Sequence, residues 1–330
     1  GDIHGHSVFS DGTGTPEDYY TYGRDAADLD FIALTDHDSW GFRPLSAIEE
    51  QYFRAGNSFS DDEHFVVILG YEWTSWDFGH RNVYFSGADA CVFDSRNERY
   101  DTPDELVSAL DAASSIIVPH HLGGGPVPFN LDSWSSKMMP VSEVVSVHGN
   151  SESSGCRYRI YNAGEGGFFR DALNRGYMWG AIGSSDSHDG HPGLRTNGAQ
   201  VRGMVGIWAD NLNRTSIFNA LRNRFCYATS GARIVVEFYV SGYPMGSVIS
   251  EVEPKEKVIQ GKIIGENDLE RIELIKNGTI YNRFYGNGNR CDFHWVDDEG
   301  ESNRSAYYYL VIYQMDGEFA VSSPIWINVK

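Results

Sequence analysis

Residues 30–38 read DFIALTDHD, an apolar run that ends abruptly in a cluster of polar side chains. The apolar residues do not alternate with polar ones, which is typical of a strand buried on both faces of a parallel sheet. Asp36 and Asp38 flank His37, so a carboxylate can orient the imidazole. This stretch therefore predicts a buried strand whose carboxyl end carries functional side chains.

Six more strand-like segments accompany this stretch in the first two-thirds of the chain, and most of them are continuous apolar runs. They span residues 2–7, 65–75, 80–87, 115–121, 142–149 and 178–188. Helical patterns lie between several of them, such as TPEDYYTYGRDAADL with its Thr-Pro-Glu start. Seven such units in one direction predict an α/β fold of the (β/α) barrel type over residues 1–230.

The pattern changes after about residue 230, where short strands alternate with Gly, Asn and Asp turns. NG at 277–278 and DG at 316–317 are typical of hairpin turns. Residues 231–330 are therefore predicted to form a small antiparallel, Ig-like β-sandwich that follows the barrel.

The histidines are concentrated where the predicted strands end. Of the eleven histidines, all but His64 and His294 lie at or just beyond such ends. His4 and His6 point to one face of their strand because side chains alternate with period two. Glu72 follows a run of apolar residues, where a carboxylate is costly to bury unless it is paired or binds metal. Together these nitrogen and oxygen ligands fit a multinuclear hydrolytic site that could hold zinc, manganese or iron.

Several motifs resemble a known family. DIHGHS with SDG, TDHD, the glutamate after an apolar strand, the histidine after IIVP, and SDSH are similar to the motifs of the PHP (polymerase and histidinol phosphatase) superfamily. YEWTS with GHRNVYF, SSDSHDGHPG and RNRFCYATSGARI resemble its DUF3604 branch. The resemblance covers residues 1 to about 240. It implies a distorted seven-stranded (β/α) barrel with a site of two or three divalent metal ions that hydrolyses phosphate esters.

The resemblance also implies a set of ligands. The matching positions are His4, His6, Asp11, His37, Glu72, His80, His120, Asp186 and His188. Many members have His-Pro where this chain has His120-His121, so either imidazole of this pair could be the ligand.

Four further residues are candidates for catalysis. Arg81 and Arg195 could assist as cations near the phosphate. His148 or His191 could protonate the leaving group, because that step needs an acid that titrates near neutral pH.

The leading hypothesis is a metal-dependent phosphoesterase in which a metal-bound hydroxide attacks phosphorus of a small phosphate ester. An alternative is hydrolysis of an amide or lactone on the same metal site, since a fold does not determine its substrate. A third, less favoured hypothesis is a non-catalytic binding protein whose sandwich presents aromatic residues such as those in SAYYYLVIY.

Composition and charge restrict the classes of partner that the protein is expected to bind. The chain has 26 basic and 46 acidic residues, a net charge of −20, which argues against a nucleic-acid surface. No stretch approaches the ~20 apolar residues of a membrane span. A soluble protein of either the cytoplasm or an exported compartment fits the sequence.

The four cysteines are far apart, so they are either free thiols or form one or two disulfides.

Overall fold

The computed structural model describes residues 1–133, 138–194, 201–250, 257–298 and 305–327. Strand residues outnumber helical residues, 34% against 16%. The helices are α1 (Pro16–Asp25), α2 (Glu49–Phe59), α3 (Pro103–Ala109), α4 (Phe169–Asn174) and α5 (Arg214–Arg222). Short 3₁₀ turns span Leu45–Ala47 and Leu131–Ser133. None of the helices in these ranges is long and apolar enough to cross a membrane.

The first ten strands form small sheets and contribute to one large sheet. They are β1 (Phe31–Ile32), β2 (Val66–Val67), β3 (Leu69–Trp73), β4 (Arg81–Phe85), β5 (Ser115–Pro119), β6 (Val141–Ser146), β7 (Gly149–Asn150), β8 (Gly180–Gly183), β9 (Met204–Ile207) and β10 (Cys226–Thr229). β1 pairs with β2, β4 lies between β3 and β5, and β6 lies between β7 and β8.

The predicted seven-stranded (β/α) barrel is wrong. The described residues form several separate sheets and no closed barrel. β4 runs antiparallel to both β3 and β5, whereas the barrel requires parallel neighbours. The reason lies in the connection, because only residues 74–80 separate β3 from β4. A parallel crossover needs a dozen or more residues, so the chain turns back as a hairpin instead.

Single parallel bridges nevertheless bring several segments together at one place. Asp2 bridges to Ile32, and Gly5 bridges to Ser187. His37 bridges to Glu72. The polar ends of segments that are far apart in sequence therefore meet around the first residues of the chain.

The remaining strands complete two larger sheets. They are β11 (Val235–Val240), β12 (Tyr243–Pro244), β13 (Val248–Ile249), β14 (Lys257–Ile264), β15 (Leu269–Lys276), β16 (Thr279–Phe284), β17 (Arg290–Asp297), β18 (Ala306–Gln314), β19 (Phe319–Ser322) and β20 (Ile325–Ile327). One sheet has the order β12-β11-β14-β17. The other contains eight strands, with β13-β20-β18-β19-β10-β9 in order and β15 and β16 joined through β18.

A shared apolar core packs strands of these two sheets against each other. It includes Val236 and Ile263 from the four-stranded sheet and Leu274 and Leu310 from the eight-stranded sheet. Because β9 and β10 belong to the eight-stranded sheet, this sheet continues across residue 230. The division into residues 1–230 and 231–330 stays a prediction.

Two smaller expectations also have outcomes in the structure. The tyrosines of β18, such as Tyr308 and Tyr309, are buried and do not present a recognition surface. All four cysteines are free thiols, two of them buried, one half-buried and Cys91 exposed.

Candidate metal centre

Glu72 lies at the centre of a cluster of histidines. Its Oε2 is 3.0 Å from Nε2 of His4 and 3.3 Å from Nε2 of His6. Its Oε1 is 2.6 Å from Nδ1 of His80, 3.1 Å from Nε2 of His120 and 3.3 Å from Nδ1 of His37. The two oxygens of one buried carboxylate therefore face two separate sets of imidazoles.

Asp186 forms a second buried centre beside Glu72. Its Oδ1 is 3.1 Å from Nε2 of His6 and 3.3 Å from Nε2 of His4. Its Oδ2 is 2.9 Å from Nε2 of His148 and 3.8 Å from Nε2 of His121. Asp186 has a φ of 54°, a left-handed conformation that is uncommon for a residue other than glycine. Such strain concentrates at functional sites.

Asp11 and His188 close the cluster at its exposed side. Oδ1 of Asp11 is 3.4 Å from Nε2 of His188, 3.7 Å from Nδ1 of His6 and 3.8 Å from Nε2 of His37. The Asp11 side chain is 32% exposed, so this part of the cluster is accessible from solvent.

Backbone hydrogen bonds between strand ends fix these positions. The amide of Asp186 donates to the carbonyl of His4, and the amide of His6 donates to the carbonyl of Ser187. The amide of Glu72 donates to the carbonyl of Asp36. The cluster is therefore held by the main chain and does not depend on long flexible loops.

The expected pairing of His37 with the adjacent carboxylates is wrong. Asp36 instead accepts hydrogen bonds from the Ser7 amide and from both the amide and hydroxyl of Ser10, which anchors the loop after the His-x-His pair. Nδ1 of His37 lies 2.8 Å from the Thr74 hydroxyl. Because neighbouring side chains on an extended chain point to opposite faces, Asp36 cannot reach the ring beside it.

The electrostatics of the cluster keep its carboxylates ionised. Burial alone would raise the pKa of Glu72, but the surrounding imidazoles outweigh it and hold that pKa well below its usual range. At Asp186, burial likewise acts to raise the pKa, but His4, His148 and His6 outweigh it and hold that pKa well below its usual range. Burial lowers the pKa of His37 to about 3 and also lowers the pKa values of His120 and His121. Ionised carboxylates beside neutral imidazoles are the protonation states that metal binding requires.

His4 and His6 differ from the other imidazoles. Burial acts to lower both pKa values, but the nearby carboxylates outweigh it, raising that of His4 well above its usual range and that of His6 to about 10. The pair would therefore carry protons where a cation could sit. A bound metal ion would displace these protons and satisfy the same carboxylates.

The donor set fits divalent metal ions. Several groups of three or four ligand atoms lie within 4.8 Å of one another, and each of the nine predicted ligands belongs to at least one such group. Nε2 of His80 and Nδ1 of His120 and His121 are buried without a hydrogen-bond partner. Leaving buried nitrogens unpaired costs free energy, so these atoms favour the binding of a ligand such as a metal ion. The ligand roles of these residues stay predictions.

The four predicted catalytic residues do not all lie at the cluster. His148 joins the cluster, with Nε2 on Asp186 and Nδ1 3.0 Å from the Tyr161 hydroxyl. His191 does not, because its ring packs edge-on against Tyr22 and is 44% exposed. Arg195 lies outside the described residues.

Arg81 lies behind the site and does not line it. Its guanidinium donates to the carbonyls of Phe78 and Gly79 and lies 4.6 Å from the centre of the Phe129 ring. It is fully buried, which lowers its pKa to about 9. Arg81 therefore supports the turn between β3 and β4, and a phosphate in the pocket would not meet it.

Sequence reasoning missed Glu143. Its Oε2 is 2.8 Å from Nδ1 of His4, on the opposite side of the ring from Glu72. A carboxylate that holds the far nitrogen of a metal-binding imidazole fixes its orientation and raises its basicity. The signal was present, because Glu143 is the one carboxylate in the predicted strand 142–149 and directly precedes Val144 and Val145, where a carboxylate is costly to bury unless it is paired.

The cluster opens into a cavity of about 190 Å³. The residues that line it are His6, Asp11, His37, Trp40, Glu72, Trp76, His80, His121, Pro126, Val127, His148, Asp186 and His188. A larger ligand could reach further, since the cavity opens to solvent.

Residues 194–263 match the family model DUF3604, described as a protein of unknown function. The matched region contains the RNRFCYATSGARI passage at 222–234. It does not include the other two passages that resemble this branch, and no superfamily is named by the match. The PHP resemblance therefore rests on the motifs alone.

Two uncharacterized proteins from chlamydiae are similar along nearly the whole chain. Those of Chlamydia muridarum and Chlamydia trachomatis are 25% and 24% identical over an alignment of 358 positions that covers 99% of this chain of 330 residues. The chain spans 57% of the length of these relatives. An engineered protein of known crystal structure aligns over 95% of this chain and 80% of its own, at 10% identity and a TM-score of 0.25.

Proposed function

We propose that the protein is a metal-dependent hydrolase that cleaves phosphate esters at a site of two or three divalent metal ions. The observation that carries the proposal is Glu72, whose two oxygens face the His4 and His6 pair on one side and His80, His120 and His37 on the other. This is the arrangement that a carboxylate shared by two cations needs. The motif resemblance to the PHP superfamily supports the same reaction.

Bound metal ions would supply a water of lowered pKa and positive charge that neutralises the charge developing on phosphate oxygens. Glu72, Asp186 and Asp11 would hold these ions and offset their charge. In the reaction, water adds to phosphorus as the bond from phosphorus to the leaving oxygen breaks. The leaving oxygen then needs a proton.

His148 is the described residue best placed to deliver that proton. Its side chain is 19% exposed and lines the cavity, and its Nδ1 meets the hydroxyl of Tyr161. Tyr161 is partly exposed, so this hydrogen bond connects His148 to solvent, from which a proton given to the leaving oxygen could be replaced.

A second candidate is the hydrolysis of an amide or lactone at the same site. Within the part of the chain that the structure describes, no Lys or Arg lines the cavity. Phosphate-binding sites commonly include such a cation, although metal ions can replace it. This lining favours a substrate of low negative charge and keeps the second candidate open.

The direct test is turnover of p-nitrophenyl mono-, di- and triesters of phosphate, and of an amide and a lactone, with and without chelator. We expect turnover of at least one phosphate ester that chelation removes and added zinc or manganese restores. Asp186→Ala should lose bound metal and turnover together while the circular dichroism spectrum stays unchanged. Turnover that survives in Asp186→Ala would contradict the mechanism, and turnover of the amide or lactone alone would favour the second candidate.

Glu143 offers a separate prediction about metal affinity. Glu143→Gln keeps the shape of the side chain but removes the negative charge behind His4, so the apparent affinity for metal should fall by about 10- to 100-fold. Competition with a chromophoric chelator measures this change. Ser142→Ala, at a buried neighbour on the same strand, should leave the affinity unchanged. Equal affinities in Glu143→Gln and the wild type would show that Glu143 does not tune the site.

A further inference from the structure

Two tryptophans, Trp40 and Trp76, line the mouth of the cavity and leave much of their ring surface exposed. Trp40 is 44% exposed and Trp76 is 64% exposed. Their rings are 5.1 Å apart, centre to centre, at an angle of 45°. Tryptophan is a costly residue to leave in water, and exposed aromatic pairs typically mark places where a ligand binds.

The pair is continuous with the metal centre. The Trp40 ring lies 5.1 Å from the ring of His37, and the Trp76 ring lies 5.8 Å from the ring of His80. A group that rests on the tryptophans would therefore be adjacent to an atom bound among the imidazoles. The aromatic surface and the polar cluster are two parts of one site.

The rest of the cavity suits a flat apolar group. Pro126 and Val127 complete its lining, so the cavity combines an apolar wall with the polar cluster. Its volume of about 190 Å³ can be compared with the ~150 Å³ of an apolar cavity that takes up benzene. This volume is about that of one ring alone, so the reacting group would lie among the imidazoles while the ring rests on the tryptophans at the open mouth. A charged substituent would find no Lys or Arg among the described lining residues.

We infer that Trp40 and Trp76 bind a planar ring of the substrate, so that the site takes phosphate esters that carry an aromatic group next to the reacting phosphorus. This inference rests on the proposed phosphoesterase function for the reacting group. We call the surface formed by Trp40, Trp76, Pro126 and Val127 the ring platform. Binding of a ring to it depends only on these residues, so this binding can be measured apart from turnover.

The test uses three singly charged phosphonates as probes with the metal-loaded protein and measures their binding by calorimetry. The probes are methyl phenylphosphonate, methyl cyclohexylphosphonate and methyl methylphosphonate. They share the same anionic group and differ only in whether the substituent is flat, apolar without being flat, or small. We expect the phenyl probe to bind about 5- to 10-fold more tightly than the methyl probe, and more tightly than the cyclohexyl probe.

Substitutions of the two tryptophans test whether they cause the preference for the phenyl probe. Trp76→Ala, and independently Trp40→Leu, should reduce the preference for phenyl over methyl to within about twofold, with the metal content unchanged. Phe42→Ala is the matched control, because Phe42 is 97% exposed in the same loop as Trp40 but does not line the cavity. It should keep the full preference.

The outcomes distinguish the ring platform from the phosphoesterase function. A phenyl preference that both tryptophan variants keep would overturn the ring platform, as would equal binding of the phenyl and cyclohexyl probes. A preference that the tryptophan variants remove supports the platform even if no phosphate ester is turned over. That last combination would refute the phosphoesterase and leave a ring-binding site on a different hydrolase.

Discussion

Glu72→Gln is expected to lose at least one equivalent of metal and to lower hydrolysis by about 10³-fold or more. The amide has the size of the carboxylate but carries no charge, and only one of its two ends can accept a metal ion. Its NH₂ group would face either His4 and His6 or the three imidazoles on the other side. One of the two proposed positions would therefore be lost. Elemental analysis and steady-state kinetics on the same preparation measure both effects.

Glu273→Gln is the control for this substitution. Glu273 is also buried, but it pairs with Arg271 and Arg283 in the C-terminal strands, away from the cavity. This variant should keep its metal and its turnover even if its melting temperature falls. A Glu72→Gln protein with full metal content and wild-type turnover would contradict the role proposed for Glu72.

Arg170→Ala is expected to lower the free energy of unfolding by about 2–4 kcal/mol. Nη2 and Nε of Arg170 lie 2.7 Å and 3.0 Å from Oε1 of Glu152, which is buried. The Tyr309 hydroxyl of β18 donates to the same oxygen. Without the guanidinium, the carboxylate stays buried with its charge uncompensated. We place the effect below the largest values for buried pairs because the Arg170 side chain is 22% exposed and water can partly replace it.

Denaturant unfolding followed by circular dichroism measures this loss. Arg175→Ala provides the comparison, because Arg175 is 46% exposed and its pair with Asp132, at 3.7 Å, lies on the surface. That variant should change the free energy of unfolding by less than about 1 kcal/mol. The double variant Arg170→Met with Glu152→Gln should recover part of the loss, since no unpaired charge is left behind. Equal stabilities of Arg170→Ala and Arg175→Ala would show that the Glu152 network does not stabilise the fold.

The location of the site could be predicted from the sequence because its residues sit where apolar runs stop. His37, Glu72 and Asp186 each lie at or shortly beyond the end of such a run, and the structure brings them together with His4. A buried polar residue at the end of an apolar strand needs a partner, and partners from other strand ends are the ones within reach. Convergence of the strand ends is enough to bring these residues together, with or without a closed barrel.

The sheet topology could not be predicted in the same way. A continuous apolar run predicts burial on both faces, but it does not say whether the neighbouring strand is parallel. The length of the connection decides this, and the short turn between β3 and β4 already excluded a crossover. The direction of Arg81, by contrast, follows from the alternation of an extended chain, because Arg81 must turn away, toward Phe129, once His80 beside it faces Glu72.

The most direct test of the account is the metal content of the purified wild-type protein after equilibration with zinc or manganese and removal of free metal. Elemental analysis should find two or three equivalents per chain, because ligand atoms of all nine predicted residues lie in groups that span less than 4.8 Å. Fewer than one equivalent with either metal would contradict the metal centre and the hydrolytic function that depends on it.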